Sequence, residues 1–180
     1  MTDLGFDQQT LGNLISHLRE NPDAAQTVWK AETEWQSGFR SSAKIGPHTI
    51  PMDEPEQLGG SATAPNMVEV VLGAYGCCLT TGYVAQAAKM GIDLRDVRTT
   101  VEGNLDLRTF LGLPAGEDAS AGYTDIKVSV QLDAPGATRE ELEELHKAVV
   151  ATSPVGDTLS RPVNIVATLA AGQATDSPTT

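Results

Sequence analysis

One nearly uncharged stretch in the middle of the sequence constrains the fold most strongly. Between Met67 and Ala88 the only charged residue is Glu69. The stretch is long enough to cross a bilayer as a helix, but its threonines and three glycines dilute its apolar character, and we expect no membrane partner. It is better interpreted as a helix that is buried on nearly all sides. Interior glycines are costly in a helix, so they predict that another backbone, such as a second helix, approaches closely.

Composition and charge exclude several classes of function. The 180 residues include 24 acidic and 12 basic ones, a net charge of −12, which argues against a nucleic-acid partner and an anionic membrane surface. The N-terminus lacks the basic and apolar segments of a signal peptide, so we expect a cytoplasmic protein. The two cysteines, Cys77 and Cys78, are adjacent, and the three histidines are scattered. We therefore expect no disulfide framework, no metal and no cofactor.

The first third of the chain predicts a helix followed by a small sheet. Apolar residues from Leu11 to Leu18 recur at helical spacing, and residues 1–22 are predicted to form an N-terminal helical extension. Two runs of alternating apolar and polar residues, one on each side of a glycine-containing turn, then predict a β-hairpin. Trp29 and Trp35 share one face of its first strand and are assigned to the core or to a dimer interface, with a ligand platform as the alternative. Arg40 lies on the non-core face of the second strand, and a short third strand follows at 48–52.

The remainder of the chain predicts two further strands, two helices and a final strand. Alternating residues indicate strands at 93–107 and 126–132, with a loop at 109–122 between them. Thr138 and Glu141 form a capping box that opens a helix, and Ser153 before a proline is a second N-cap. The last strand is predicted at 163–169, and residues 171–180 are predicted to be a disordered tail. The order predicts one α+β domain over 23–170, with mostly antiparallel sheet wrapped on the central helix.

Cys78 is the sharpest candidate for chemistry. A reactive thiol needs a neighbouring cation or a helix N-terminus that favours the thiolate, and a position in mid-helix supplies neither. Arg40 is a candidate for that cation. The alternative interpretation is that Cys77 and Cys78 are small buried hydrophobic residues and that Arg40 is a solvated surface charge.

Four segments, in their order, resemble the OsmC/Ohr family of osmotically induced protein C and organic hydroperoxide resistance proteins. They are DEPEQLGGSATAPN, GCCLTTGY, KMGIDLRDVRTTVEGNLDLRTFLGL and SPVGDTLSRPV. The resemblance runs from about Trp29 to Leu169. It implies an intertwined α+β homodimer, with the long central helices buried near the dimer interface and two active sites at that interface. In the peroxidase members a helix cysteine attacks the peroxide, an arginine stabilises its thiolate, and a glutamate holds the arginine.

Transferred residue by residue, the resemblance assigns Cys78 as the attacking cysteine and Arg40 as the arginine. Val68 occupies the position of the glutamate, and Glu69, one residue later, is a displaced support about 100° around the helix.

Two further positions bear on how the cycle would end. A second cysteine closes the family's cycle by forming a disulfide, but Ser153 occupies its position here, and serine forms no disulfide. Cys77 stands where the family often has a small residue. The sequence therefore resembles a divergent member that lacks the second cysteine and needs an external thiol reductant.

Three functions follow as hypotheses. The first is a thiol-dependent peroxidase that acts on organic or hydrogen peroxide through Cys78. Apolar walls would favour organic peroxides, and four residues are candidates for them: Tyr75, Leu79, Met67 and Phe110. The second is a non-catalytic dimer that binds a small apolar or sulfur-containing molecule in the same cleft. The third, hydrolysis through Ser153, has no assignable histidine or acid partner.

Overall fold

The fold was analysed in a computed structural model that defines residues 4–117 and 119–170. In these residues the helices are α1 (Gln8–Glu20), α2 (Met67–Met90), α3 (Leu107–Phe110), α4 (Arg139–Thr152) and α5 (Pro154–Ser160). The strands are β1 (Glu32–Ser37), β2 (Arg40–Ile45), β3 (His48–Met52), β4 (Asp96–Leu105) and β5 (Tyr123–Asp133). The predicted disordered tail, 171–180, lies outside the described residues.

The strands form two antiparallel sheets, which confirms the predicted α+β class. β1, β2 and β3 form a three-stranded meander, and β4 and β5 form a long hairpin that pairs Asp96 with Asp133 at one end. The predicted hairpin and the two longer strands are therefore confirmed. Burial alternates along β4 and β5, so one face of that hairpin is available to cover the central helix.

The core lies where α2 meets the β4–β5 hairpin and α4. Leu79, Tyr83 and Ala87 are spaced by four residues along α2, and all three are buried. They pack with Leu145 and Val149 of α4 in one apolar cluster. The regular spacing places these side chains on one stripe of the helix, which is the geometry that buries a helix against its neighbours.

Gly82 explains how closely the two long helices approach. A Cβ at this position would lie 3.0 Å from a methyl carbon of Val149 on α4. The second helix predicted beside the α2 glycines is thus observed at Gly82, where the neighbouring atoms belong to a side chain and not to the backbone. The same approach fixes the C-terminal end of α4 against the middle of α2.

Burial of α2 is confined to one face in the single chain, so the prediction of burial on nearly all sides is wrong for one copy. Met67, Val68, Val71 and Met90 are each more than a third exposed. By length and composition, α2 is also the helix within the described residues that could cross a membrane. Such a signal is weak, because core helices of other proteins meet the same criteria.

Two apolar segments that were predicted to be strands are extended but unpaired. β1 begins at Glu32 and not at Trp29, and the described residues 161–170 contain no strand. Val28 is 98% exposed, Ile165 84% and Leu169 92%. Trp29 and Trp35 are exposed as well, so their assignment to the core is wrong within the single chain. A strand needs a partner for its backbone groups, and the described chain offers none to these segments.

The loop between β3 and α2 is organised around the buried carboxylate of Asp53. It accepts hydrogen bonds from the backbone N–H groups of Glu54 (2.9 Å), Ser61 (3.2 Å) and Thr63 (3.1 Å), and from the Thr63 hydroxyl (2.9 Å). These bonds, chiefly the one from the Thr63 backbone, lower the pKa of Asp53. One charged group thus replaces the water that several loop amides would otherwise need.

The same loop sets the start of α2. The Glu54 carboxylate accepts a hydrogen bond from the Asn66 side-chain amide, and the Asn66 side-chain Oδ1 accepts one from the Val68 N–H at 2.8 Å. Gly60 is required here because a Cβ would lie 1.8 Å from the backbone oxygen of Glu54. The hydrogen bonds of the DEPEQLGGSATAPN segment therefore fix where α2, the helix that carries Cys78, begins.

We predict that Asp53→Asn destabilises the protein and weakens its sensitivity to acid. The folded pKa of Asp53 lies below the unfolded value of 3.8, so its stabilisation is full above about pH 4 and is lost as the pH falls further. At neutral pH the variant should melt about 5 °C lower, because several buried donors lose a charged acceptor. Thermal melts between pH 3 and 7 test this, with Asp23→Asn, an exposed acid, as control. Equal melting of wild type and Asp53→Asn would refute the assignment.

Candidate functional site

Cys78 lies halfway along α2 and is partly buried, whereas its neighbour Cys77 is exposed. Consecutive side chains on a helix point about 100° apart, so the two thiols face different surroundings. Cys78 faces the junction between α4 and α5, and Cys77 lies between two grooves on either side of the helix. Cys78 is thus the thiol in the more enclosed position.

The closest polar contact of Cys78 is the hydroxyl of Ser153. The sulfur lies 3.3 Å from the Ser153 Oγ, although the two residues are 75 positions apart. Ser153 ends α4 and caps α5, where its Oγ accepts the Gly156 N–H at 3.1 Å. The structure therefore brings together the two residues that the resemblance placed at the family's two cysteine positions.

A second pair of residues holds α4 against α2. The Tyr83 hydroxyl hydrogen-bonds the Nδ1 of His146, and the two rings stack with centroids 6.2 Å apart. Tyr83 is fully buried, and burial raises the pKa of its hydroxyl. Together with the contact at Gly82, this pair sets the position of α4, and so the position of Ser153 beside Cys78.

Cys78 opens onto a groove of about 850 Å³ that is mostly apolar. One wall is formed by small residues of α2, and the other by the end of α4 and the start of α5. Trp29 lines a third side, although most of its surface is exposed. None of the described residues that line this groove is charged. The groove could accommodate a small apolar molecule beside the sulfur.

The four residues that were predicted as apolar walls are placed differently from that expectation. Met67 and Phe110 line a separate pocket of about 220 Å³ near the start of α2. Leu79 belongs to the core. Tyr75 packs at the start of α5, where a Cβ on Gly156 would lie 2.9 Å from its ring.

Arg40 and Cys78 are not brought together within one chain. Arg40 begins β2, is exposed, and donates a hydrogen bond to the Ser37 Oγ at 2.7 Å. It is not among the residues that line the Cys78 groove. Among the described residues it has no acidic partner, so its charge remains available to another group.

Glu69 has a structural role in the single chain. Its carboxylate accepts the backbone N–H of Asn66 at 2.9 Å and completes the capping box of α2. It lines a different groove, of about 470 Å³, together with Cys77. The backbone carbonyl oxygen of Val68 accepts a hydrogen bond from the Tyr123 hydroxyl at 2.8 Å. Burial, and then the Glu69 charge, raises the pKa of Tyr123.

The described part of the chain contains no group of three or more His, Cys, Asp or Glu side chains that could hold a metal ion. The Cys78 groove itself presents a thiol beside a hydroxyl in a mostly apolar lining.

Comparison with protein-family models identifies the family of this chain. The family model described as OsmC-like protein matches residues 59–168, which is more than half of the chain. The chain belongs to the OsmC-like family. The match includes Cys78 and Ser153, and it confirms the resemblance drawn from the sequence.

Solved structures of OsmC-like proteins share the fold. An OsmC-like protein from Mycoplasma pneumoniae has a TM-score of 0.64 and 16% identity, covering 74% of this chain and 88% of that one. An organic hydroperoxide resistance protein OsmC from Legionella pneumophila has a TM-score of 0.54 and 19% identity, covering 75% and 92%. An organic hydroperoxide resistance protein from Elizabethkingia anophelis has a TM-score of 0.54 and 17% identity, covering 75% of this chain and 91% of that one. Comparison with curated proteins finds no match.

Sequence reasoning identified two contributors to this OsmC-like site only in part. Trp29 was assigned to the core or the dimer interface, with a ligand platform as the alternative, and it borders the Cys78 groove. Tyr75 was predicted as an apolar wall of the site, but its packing over Gly156 was not foreseen. Neither has a local pattern that separates a groove wall from a core position, so only the tertiary packing reveals them.

Proposed function

We propose that this OsmC-like protein is a thiol-dependent peroxidase that reduces organic or hydrogen peroxides through Cys78. The observation that carries the proposal is the partly buried thiol, held 3.3 Å from the Ser153 hydroxyl in an apolar groove. Structures that resemble this one include two organic hydroperoxide resistance proteins, from Legionella pneumophila and Elizabethkingia anophelis.

The proposed reaction begins with the Cys78 thiolate. The sulfur attacks the terminal oxygen of the peroxide, an S–O bond forms and the O–O bond breaks. The alkoxide leaves and takes a proton from water, and Cys78 becomes a sulfenic acid. A first external thiol displaces the hydroxyl as water and forms a mixed disulfide. A second external thiol then releases Cys78 and leaves as an external disulfide.

An external reductant is required because the chain lacks a suitable internal thiol. The sequence contains two cysteines, and Cys77 diverges from Cys78 around the helix. Ser153 is in contact with Cys78 but cannot form a disulfide. The cycle is therefore expected in a compartment rich in small thiols, which agrees with the cytoplasmic location expected from the sequence.

We also propose that the active form is a homodimer. The unpaired segments around Val28 and Ile165, together with the uncovered face of α2, expose apolar side chains that a monomer in water would be expected to bury. A second copy could pair with the extended segments and cover α2. Such an arrangement is the intertwined dimer that the family resemblance implies.

The dimer would supply the missing cation. Within one chain no charged residue lines the Cys78 groove, and Arg40 is free of acidic partners among the described residues. Arg40 of the second copy would then face Cys78 and favour its thiolate. Glu69 lies on an exposed part of α2 and is the candidate acid to support that arginine, as the family resemblance implies.

Non-catalytic binding of a small apolar or sulfur-containing molecule is the second candidate. The uncharged lining of the groove favours it, because a thiol without a cation is a weak nucleophile. Measurement of peroxide turnover distinguishes the peroxidase from the non-catalytic binding protein.

We predict that Cys78→Ser abolishes peroxide consumption, while Cys77→Ser retains it. The measurement is consumption of cumene hydroperoxide with excess dithiothreitol, and Cys77→Ser is the matched control on the adjacent residue. Mass spectrometry after peroxide treatment without reductant should find oxidation concentrated on Cys78. If Cys78→Ser consumed peroxide as fast as wild type, the peroxidase proposal would fail and ligand binding would remain.

Trp29 is predicted to favour organic over hydrogen peroxide. Its ring adds apolar surface beside the groove, so Trp29→Ala should lower kcat/KM for cumene hydroperoxide by about tenfold. Hydrogen peroxide has no apolar group to contact the ring, and its kcat/KM should change little. Trp35→Ala is the control, since that indole is also exposed but does not line the groove. Equal losses for both peroxides would exclude a role in substrate choice.

A further inference from the structure

Ser153 is fixed in place more firmly than a surface serine. It is 5% exposed, and it lies at the point where α4 ends and α5 begins. Gly156 contributes to this by bringing its backbone N–H close: a Cβ there would lie 3.1 Å from the Ser153 Oγ and 2.9 Å from the Tyr75 ring. The hydroxyl therefore has a defined position relative to the Cys78 sulfur.

The hydrogen bonds of Ser153 determine the direction of its contact with Cys78. A serine hydroxyl has one proton and two acceptor lone pairs. One lone pair accepts the Gly156 N–H at 3.1 Å, which leaves the proton free. This hydroxyl also contacts the Cys78 sulfur, at 3.3 Å. A thiolate has no proton to give, so in the ionised state the hydroxyl must be the donor.

The surroundings increase the importance of this donor. Among the described residues that line the groove, none is charged, and the other titratable side chain is Cys77. A hydrogen bond to a charged group is stronger in a poorly solvated site than in water. A bond to the charged form of an acid favours that form.

We propose that Ser153 is a catalytic hydroxyl that donates a hydrogen bond to the Cys78 thiolate and aims the sulfur at the groove. This inference rests on the proposed peroxidase function for its consequence, but the hydrogen bond itself exists without peroxide. The residue at the family's second cysteine position thus acts here in activating the first thiol and not in resolving its sulfenic acid.

The test compares Ser153→Ala and Ser153→Gly with the parent, all in a Cys77→Ser background so that one thiol reports. Glycine is nearly as good an N-cap as serine, so Ser153→Gly removes the hydroxyl with little loss of helix capping. Thiolate ultraviolet absorbance is recorded against pH, and the rate of alkylation by iodoacetamide is measured at neutral pH. Both variants should alkylate about tenfold more slowly, the effect of losing one hydrogen bond to a charged group. Their thiolate absorbance should appear at higher pH.

A matched control separates this effect from simple destabilisation. Thr138→Ala removes a comparable N-cap from α4, where the Thr138 hydroxyl accepts the Glu141 N–H at 3.2 Å. It should leave the Cys78 pH profile unchanged. An equal shift in Thr138→Ala, or unchanged alkylation in folded Ser153→Ala and Ser153→Gly, would overturn the inference.

Peroxide consumption by the same proteins distinguishes the two proposals. If the parent consumes no peroxide but loss of the hydroxyl still slows alkylation, the role of Ser153 stands and the peroxidase proposal fails. If the parent is active and both variants match it in alkylation, pH profile and turnover, the peroxidase proposal stands and the role of Ser153 is rejected.

Discussion

The close packing of α2 against α4 determines where the Cys78 sulfur lies and what it contacts. Gly82 lets the backbone of α2 approach Val149, and the Tyr83–His146 hydrogen bond ties the same two helices a turn away. Because α4 ends at Ser153, this packing also delivers a hydroxyl to the sulfur.

The homodimer that we propose rests on three features of the single chain. Its central helix is covered on one face, two apolar segments extend without partners, and Arg40 carries a charge that no described acid pairs. In the proposed dimer a second copy would cover the apolar surface and supply the cation. In that account the thiol and its hydroxyl come from one chain and the arginine from the other.

Local patterns predicted much of the fold. The capping box at Thr138, the Ser153 N-cap and the β4–β5 alternation all appear as expected, because each is determined by near neighbours in sequence. The strand predicted at 163–169 did not form in the described chain, since pairing depends on a partner that sequence periodicity does not identify.

The candidate site was only partly predictable for the same reason. The resemblance placed Cys78 and Ser153 at the family's two cysteine positions. Their contact across 75 residues of sequence follows from helix packing. Trp29 alternates like a core residue, and only the tertiary structure places it beside the groove.

The central claim is that each site combines Cys78 of one chain with Arg40 of another, and a mixed dimer tests it most directly. Chains carrying Cys78→Ser and Arg40→Ala are co-expressed with different tags, and the species carrying both tags is purified. Each parent homodimer should be inactive. The mixed dimer should recover about half of wild-type peroxide turnover, since one of its two symmetric sites is intact. An inactive mixed dimer beside an active doubly tagged wild type, or a chain that remains monomeric at 18.9 kDa, would contradict the account.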